Sequence, residues 1–261
     1  MTAFVTDVLP YVSDPGLRRL RSEIEARGTR INCVDVYLGW YPGHDPASVA
    51  GEASPLLRAT EHEVLGIAEA LGAEHVSIAA PFAGEDAPIE QVIDSLGEFT
   101  RRASQRGIRP HLEISNGSKV SSVTTAMQLL DGVADPDLGI VLDTYNLIRA
   151  GGTPSDVDEL PLDRVFQIQL VDGAEQPVGD RFYDSLHCRQ LPGDGDLPVA
   201  EVVRRLRARG PLPPVGPEVF NDELASLSVA EAAERAAVTT RAFLASILDP
   251  ATGGSDVVAT P

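Results

Sequence analysis

The 261 residues carry 39 acidic against 21 basic side chains, a formal charge of −18, with 43% hydrophobic and 23% charged residues. This is ordinary globular composition, and its acidity argues against a nucleic-acid partner, because phosphate binding needs clustered Lys and Arg. No run approaches the roughly 20 apolar residues that cross a bilayer, so a soluble protein without a membrane partner is expected.

The opening MTAFVTDVLPYVSDP has no basic segment followed by an apolar core and a small-residue cleavage site, which makes the cytoplasm the expected location. After an apolar run over residues 4–9, Ser13-Asp14-Pro15 has the form of a helix start. Leu17, Leu20 and Ile24 then share one face until Arg27-Gly28 closes the helix. INCVDVYL (31–38) is β-rich, and Cys33 within it lies far from Cys188 without CxxC spacing, against a disulfide framework or zinc knuckle. GWYPGHDPASVAGEAS (39–54) reads as a long loop at the top of a barrel, placed to cover substrate. Then come a helix in EHEVLGIAEALG ending at Gly72, a strand in HVSIAAP, a helix in PIEQVIDSLGEFTRRASQRG ending at Gly107 and a strand in IRPHLEIS.

The alternation continues with VSSVTTAMQLLDGVAD (helix), LGIVLDT (strand), a Gly-rich turn with a short helix from Ser155, and VFQIQLVD (strand). A long loop leads to PVAEVVRRLRARG (helix), VGPEVF (last strand) and SVAEAAERAAVTTRAFLASIL (last helix). Strands alternating with helices across short connections imply parallel strands joined by right-handed crossovers. The expected fold is a TIM-type (β/α) barrel forming one domain over residues 1–248, with a disordered tail over 249–261. The strand count is about seven rather than eight. The deficit lies at the amino end, so either a weak strand is hidden there or the barrel is irregular and sealed by a helix, a loop or a second subunit of a homo-oligomer.

Four residues close short apolar runs: Glu113 in RPHLEIS, Asp143 in GIVLDTYN, Gln169 in VFQIQLVD and Glu218 in VGPEVFND. Barrel enzymes carry their chemistry at these carboxyl ends. Three carboxylates and an amide oxygen make a hard cage suited to one divalent cation, Mn²⁺ or Mg²⁺ first, Co²⁺ or Zn²⁺ next. The alternative is a set of unrelated surface groups at strand ends. Because alternate strand residues point inward, Glu113 shares its face with His111, Asp143 with Val141, Gln169 with Gln167 and Glu218 with Gly216. His111 is then either an outer partner that orients the ligands from below and lines the substrate site, or a hydrogen-bonded core histidine. His62 is expected at the surface, His75 in the core and His44 in the long loop.

With these residues, the stretch 30–248 resembles the xylose isomerase-like barrel superfamily, which contains sugar phosphate isomerases and epimerases, inosose dehydratases and endonuclease IV. The resemblance implies metal ligands at Glu113, Asp143, Gln169 and Glu218. SLHCRQLPGDGDLPV and PEVFNDEL look like the matching motifs of bacterial 3-dehydroshikimate dehydratases, which can also carry Gln as the third ligand. That likeness implies that His187 and Arg189 project into the site, Arg189 toward a substrate carboxylate or oxyanion; the alternative for Arg189 is a loop ion pair with Asp194 or Asp196. Endonuclease IV is excluded, since its three-zinc cluster needs many histidines and a basic groove, and this acidic chain has five histidines.

One departure bears on mechanism. The family has His three residues after the second ligand, where this chain has Asn146. An amide can orient a hydroxyl but cannot shuttle a proton near neutral pH, so His187, Tyr145 or a metal-bound carboxylate must take that part. The implied activity begins with a divalent ion on a small polyhydroxy ketone or cyclic hydroxy-ketone, acidifying the adjacent C–H to form an enediolate. Loss of a β-hydroxyl then gives a dehydratase, while reprotonation by Glu113 and Glu218 as paired bases gives an isomerase or epimerase. A third expectation is a barrel that has lost turnover and serves as a binding partner or subunit.

Overall fold

The computed structural model describes residues 1–8, 15–44 and 58–248, with the side chains of Thr6 and Asp7 outside the description. Ser13 and Asp14 of the expected helix start, most of the expected covering loop and the expected tail fall outside these residues. The chain divides into two compact units, Met1–Leu142 with Asp163–Phe166, and Asp143–Leu162 with the residues from Gln167 onward.

The first unit holds β1 (Thr2–Phe4), α1 (Val5–Val8), α2 (Gly16–Glu25), β2 (Cys33–Tyr37), α3 (Glu61–Leu71), β3 (His75–Ile78), α4 (Ile89–Ser104), β4 (Arg109–Glu113), α5 (Val123–Val133) and β5 (Gly139–Asp143) up to Leu142. Its strands pair in parallel, with Thr2 opposite Cys33, Cys33 opposite His75, His75 opposite Arg109 and His111 opposite Gly139. β2, β3 and β5 are buried along their whole length, which is why they read as continuous apolar runs rather than alternating ones.

Helix boundaries here follow local chemistry. Thr60 caps α3 by accepting the Glu63 amide while Glu63 Oε2 takes the Thr60 amide at 2.8 Å, and Gly72 ends the helix at φ 69°. The buried face of α4 is Val92, Leu96, Phe99 and Ala103, the spacing of one helical stripe. Gly139 opens β5 against the Phe166 ring, where a Cβ would fall 2.4 Å from ring carbons. That ring is itself held between the Arg109 guanidinium at 3.9 Å and His75 at 5.3 Å.

The second unit contains α6 (Thr144–Arg149), a 3-10 turn (Pro154–Glu159), the end of β6 (Val165–Gln169), α7 (Arg181–His187), α8 (Val199–Arg209), β7 (Val215–Gly216), α9 (Asp222–Ala225) and α10 (Val229–Leu248). β6 and β7 pair in parallel, Ile168 opposite Val215 and Gln169 opposite Gly216. Leu170, Val199 and Val203 form its core, covered by Phe243, Leu244, Ile247 and Leu248 of the last helix. Arg209 ties α8 to the 3-10 turn through the Val157 and Leu160 carbonyls at 2.6 and 2.5 Å.

Among the described residues seven strands stand in chain order, β1 to β7, as the alternation predicts. The structure corrects several local expectations. The opening apolar run is a strand only to Phe4 and turns helical at Val5. The last strand is two residues long, because Pro217 has no N–H to continue a ladder, so Glu218 stands beyond it. The short helix expected from Ser155 is a 3-10 turn. Two helices stand where turn or loop was expected: α6 follows β5 without a linker, and α7 occupies the long loop.

Candidate active site

The second unit gathers Asp143, Gln169, Glu218 and Arg189. Asp143 ends β5 and is also the N-cap of α6, so its Oδ1 accepts the Asn146 amide at 2.9 Å. Its side chain is 0% exposed. Arg189 Nη1 donates to Asp143 Oδ2 at 2.9 Å and lies 3.7 Å from Glu218 Oε2. This settles the ion-pair partner of Arg189 as Asp143 and Glu218 rather than Asp194 or Asp196. Burial raises the Asp143 carboxyl above its ordinary range, opposed by the Arg189 guanidinium and then by the Asn146 amide.

Gln169 ends β6, and its Nε2 donates to Glu218 Oε1 at 2.7 Å. That bond fixes the amide with Oε1 on the other side, where it is buried and has no hydrogen-bond partner among the described residues. Asp143 and Glu218 each offer a carboxylate oxygen, the two within 4.8 Å of one another. Turned over about its last bond, the same amide sets Oε1 rather than Nε2 toward Glu218, and with the Asp143 and Glu218 carboxylates it then makes a set of hard donors that fits a divalent cation.

Arg189 is held from several sides. Its Nε donates to the Ser185 carbonyl at 2.8 Å, Nη1 faces the Glu218 carbonyl at 3.3 Å, and the Tyr145 and Phe220 rings each lie 4.9 Å from the guanidinium carbon. Tyr145 is fully buried, and its hydroxyl donates to Asp184 Oδ2 at 2.5 Å. Arg149 Nε donates to the same oxygen at 2.9 Å, while Asp184 Oδ1 accepts the Val178 amide. Burial, then the Asp184 hydrogen bond, raises the Tyr145 phenol above its usual range, so its proton is firmly held.

His187 ends α7. Its Nδ1 is 2.8 Å from Asp222 Oδ1, the side chain is 42% exposed, and the ring stacks on Tyr183 at 4.9 Å. It lines an open groove with Phe220, Asn221 and Leu224. Asn146 is buried in the first turn of α6, where its backbone amide donates to the capping Asp143 side chain.

In the first unit Glu113 ends β4 and is half-buried. His111, two residues earlier, is 1% exposed. Its Nε2 lies 3.2 Å from Cys33 Sγ and its ring stacks on His75 at 5.5 Å, while Nδ1 has no partner among the described residues. Burial and then the His75 charge push its pKa down to about 3, so it is neutral near pH 7. His75 is a core residue and His62 is exposed, as expected.

Asp172, Asp184 and Arg149 were not singled out in the sequence. Asp172 is 2% exposed; its oxygens accept the amides of Gly173 at 2.8 Å, Gly193 at 3.0 Å and Leu197 at 3.1 Å, which shapes the LPGDGDL loop. Gly195 is required there, since a Cβ would meet Asp172 Oδ1 at 2.4 Å. The available signal was an Asp directly after an apolar strand run, the same signal that marks Asp143.

Parallel strands alternating with helices, and acidic and amide ligands at strand ends, define a β/α-barrel enzyme class. The chain belongs to the xylose isomerase-like TIM barrel family, whose profile matches residues 3–247. It is 29% identical over 132 residues to a 3-dehydroshikimate dehydratase of Pseudomonas putida, a match covering 50% of this chain and 21% of the dehydratase. The chain thus spans about a fifth of that relative's length. An inosose isomerase of Halalkalibacterium halodurans is 26% identical over 180 residues, 66% of this chain and 62% of the isomerase. Among solved structures, the IolI protein with a bound zinc atom superposes with a TM-score of 0.78 at 18% identity, covering 94% of this chain and 88% of that one. At that identity the likeness shows the fold. Among the described residues no helix is long and apolar enough to cross a membrane.

Proposed function

We propose that this protein is a divalent-metal-dependent dehydratase acting on a small cyclic hydroxy-ketone of the dehydroshikimate or inosose type. The observation that carries the reading is the pair of Asp143 and Glu218 carboxylate oxygens within 4.8 Å of one another, with the Gln169 amide bonded to Glu218 and its Oε1 left buried without a partner among the described residues. Glu113, Asp143, Gln169 and Glu218 would hold the ion, and oxygen donors favour Mn²⁺ or Mg²⁺. When bound, such an ion acts as a Lewis acid that polarises a ketone and acidifies the C–H beside it.

The chain's own groups do the rest. Glu113 or Glu218 takes the proton from carbon, and Arg189, stacked on Tyr145 and Phe220, binds a substrate carboxylate or oxyanion. Asn146 orients a substrate hydroxyl in place of the usual histidine. His187, held by Asp222, protonates the leaving hydroxyl, and Tyr145, its proton held by Asp184, offers its ring face to the Arg189 guanidinium rather than acting as an acid. His111 supports the end of β4 that carries Glu113 and the substrate bound there.

A second reading, isomerisation or epimerisation with Glu113 and Glu218 as opposed bases, is favoured by the inosose isomerase relative. The test is incubation of Mn²⁺-loaded protein with 3-dehydroshikimate, inososes and keto-sugars in D₂O, followed by NMR. Loss of water from one substrate is the expected result. Deuterium uptake at carbon without loss of water moves the assignment to the isomerase, and no change in any substrate leaves the chain as a metal-binding partner or subunit.

A further inference from the structure

We propose that Arg189 is a built-in rival of the divalent cation, so that the ion enters only as Arg189 gives up its bond to Asp143. This rests on the metal reading above and concerns the same site. Every carboxylate oxygen of Asp143 and Glu218 already faces a donor. Asp143 Oδ1 takes the Asn146 amide at 2.9 Å and Oδ2 takes Arg189 Nη1 at 2.9 Å. Glu218 Oε1 takes Gln169 Nε2 at 2.7 Å, and Oε2 lies 3.7 Å from Arg189 Nη1.

A doubly charged ion sharing these oxygens would stand one ligand bond away from a positive charge in a largely buried site, where Asp143 is 0% and Glu218 13% exposed. Like charges that close repel strongly at the low effective dielectric of a buried site. The guanidinium therefore satisfies, as a single diffuse charge, the carboxylates that a metal would satisfy as a compact double charge.

The remaining contacts of Arg189 give it somewhere to go. Its Nε bond to the Ser185 carbonyl and its position by the Tyr145 and Phe220 rings do not depend on Asp143, so Nη1 can leave the carboxylate while the stem stays in place. A substrate carboxylate draws the same guanidinium by a charge-assisted bond. Anion and metal then each assist the other's binding, since linkage of this kind is reciprocal. Metal loading becomes coupled to the arrival of an acidic substrate.

The test needs no substrate. Metal-free wild type and Arg189→Met are titrated with MnCl₂ at pH 7 while free Mn²⁺ is read by electron paramagnetic resonance. The variant is expected to bind Mn²⁺ about tenfold more tightly; equal or weaker binding overturns the proposal. Should the variant fail to fold, wild type labelled with ¹⁵N-arginine is titrated with Mg²⁺, and the Nε–H resonance missing from the Arg189→Lys spectrum is followed. It is expected to shift until Mg²⁺ saturates, and a resonance unmoved at saturation overturns the proposal. If neither protein binds Mn²⁺ or Mg²⁺, the metal reading itself falls, and this inference with it.

Discussion

Replacing Asp184 by Asn tests how the loop carrying Arg189 is fastened. Asp184 and Arg149 are a buried ion pair, their side chains 3% and 6% exposed, and the same carboxylate takes the Tyr145 hydroxyl and the Val178 amide. Asn is nearly the same shape, so the perturbation removes charge and one acceptor without opening a cavity. It leaves the Arg149 guanidinium with the Ala174 and Glu175 carbonyls but no counter-ion within the network. Breaking a buried pair from one side costs about 3–5 kcal/mol. Since the Asn oxygen still accepts one bond, the lower end is expected, about 3 kcal/mol. For a chain of this size that lowers Tm by roughly 6–12 °C. Urea and thermal unfolding of wild type, Asp184→Asn, Tyr145→Phe and the double variant give the coupling between Tyr145 and Asp184 directly. A loss under about 1 kcal/mol for Asp184→Asn, or additive effects in the double variant, refutes the network described here.

Four other outcomes follow from the geometry. Glu218→Gln is expected to abolish turnover while leaving the unfolding midpoint close to wild type, measured by the water-loss assay and circular dichroism; retained activity removes Glu218 from the mechanism. Gln169→His exchanges a hard oxygen for imidazole and is expected to move the metal preference from Mn²⁺ toward Zn²⁺ in competitive metal analysis. Gly139→Ala drives a methyl into the Phe166 ring, which Arg109 and His75 hold in place, and costs about 1–3 kcal/mol in urea unfolding. The folded pKa of His111 lies at about 3, below its unfolded value. Its neutral form therefore supports stability fully above about pH 6.5, and that support is lost as pH falls toward 3. Between pH 7 and 4.5, wild type should lose about 2–3 kcal/mol more than His111→Phe, and parallel loss in the two proteins contradicts it.

What could be read from sequence tracks what is local. Thr60, Glu63 and Gly72 bracket α3 by capping chemistry that acts within a few residues, and β2, β3 and β5 announce themselves by burial on both faces. Asp143 and Gln169 were visible because each closes such a run. The missed features have identifiable reasons. Asp143 both ends a strand and caps the next helix, leaving no turn signal between β5 and α6. α7 hid in a loop because it is seven residues long, two turns in which Phe182 and Leu186 make a single i, i+4 apolar pair; its other cue is Asp180, which caps the Phe182 and Tyr183 amides. Pro217 shortened β7 and could have been weighed as a ladder breaker. The pairing of Arg189 with Asp143 spans 46 residues, and the Asp184–Arg149 pair is likewise non-local. No sequence spacing encodes either.

The most direct test of the central claim is a crystal soaked in Mn²⁺ and read by anomalous scattering. One manganese peak bonded to Glu113, Asp143, Gln169 and Glu218 is the predicted result. Well-ordered density for those four side chains with no peak among them, at Mn²⁺ concentrations that occupy other surface carboxylates, would contradict it.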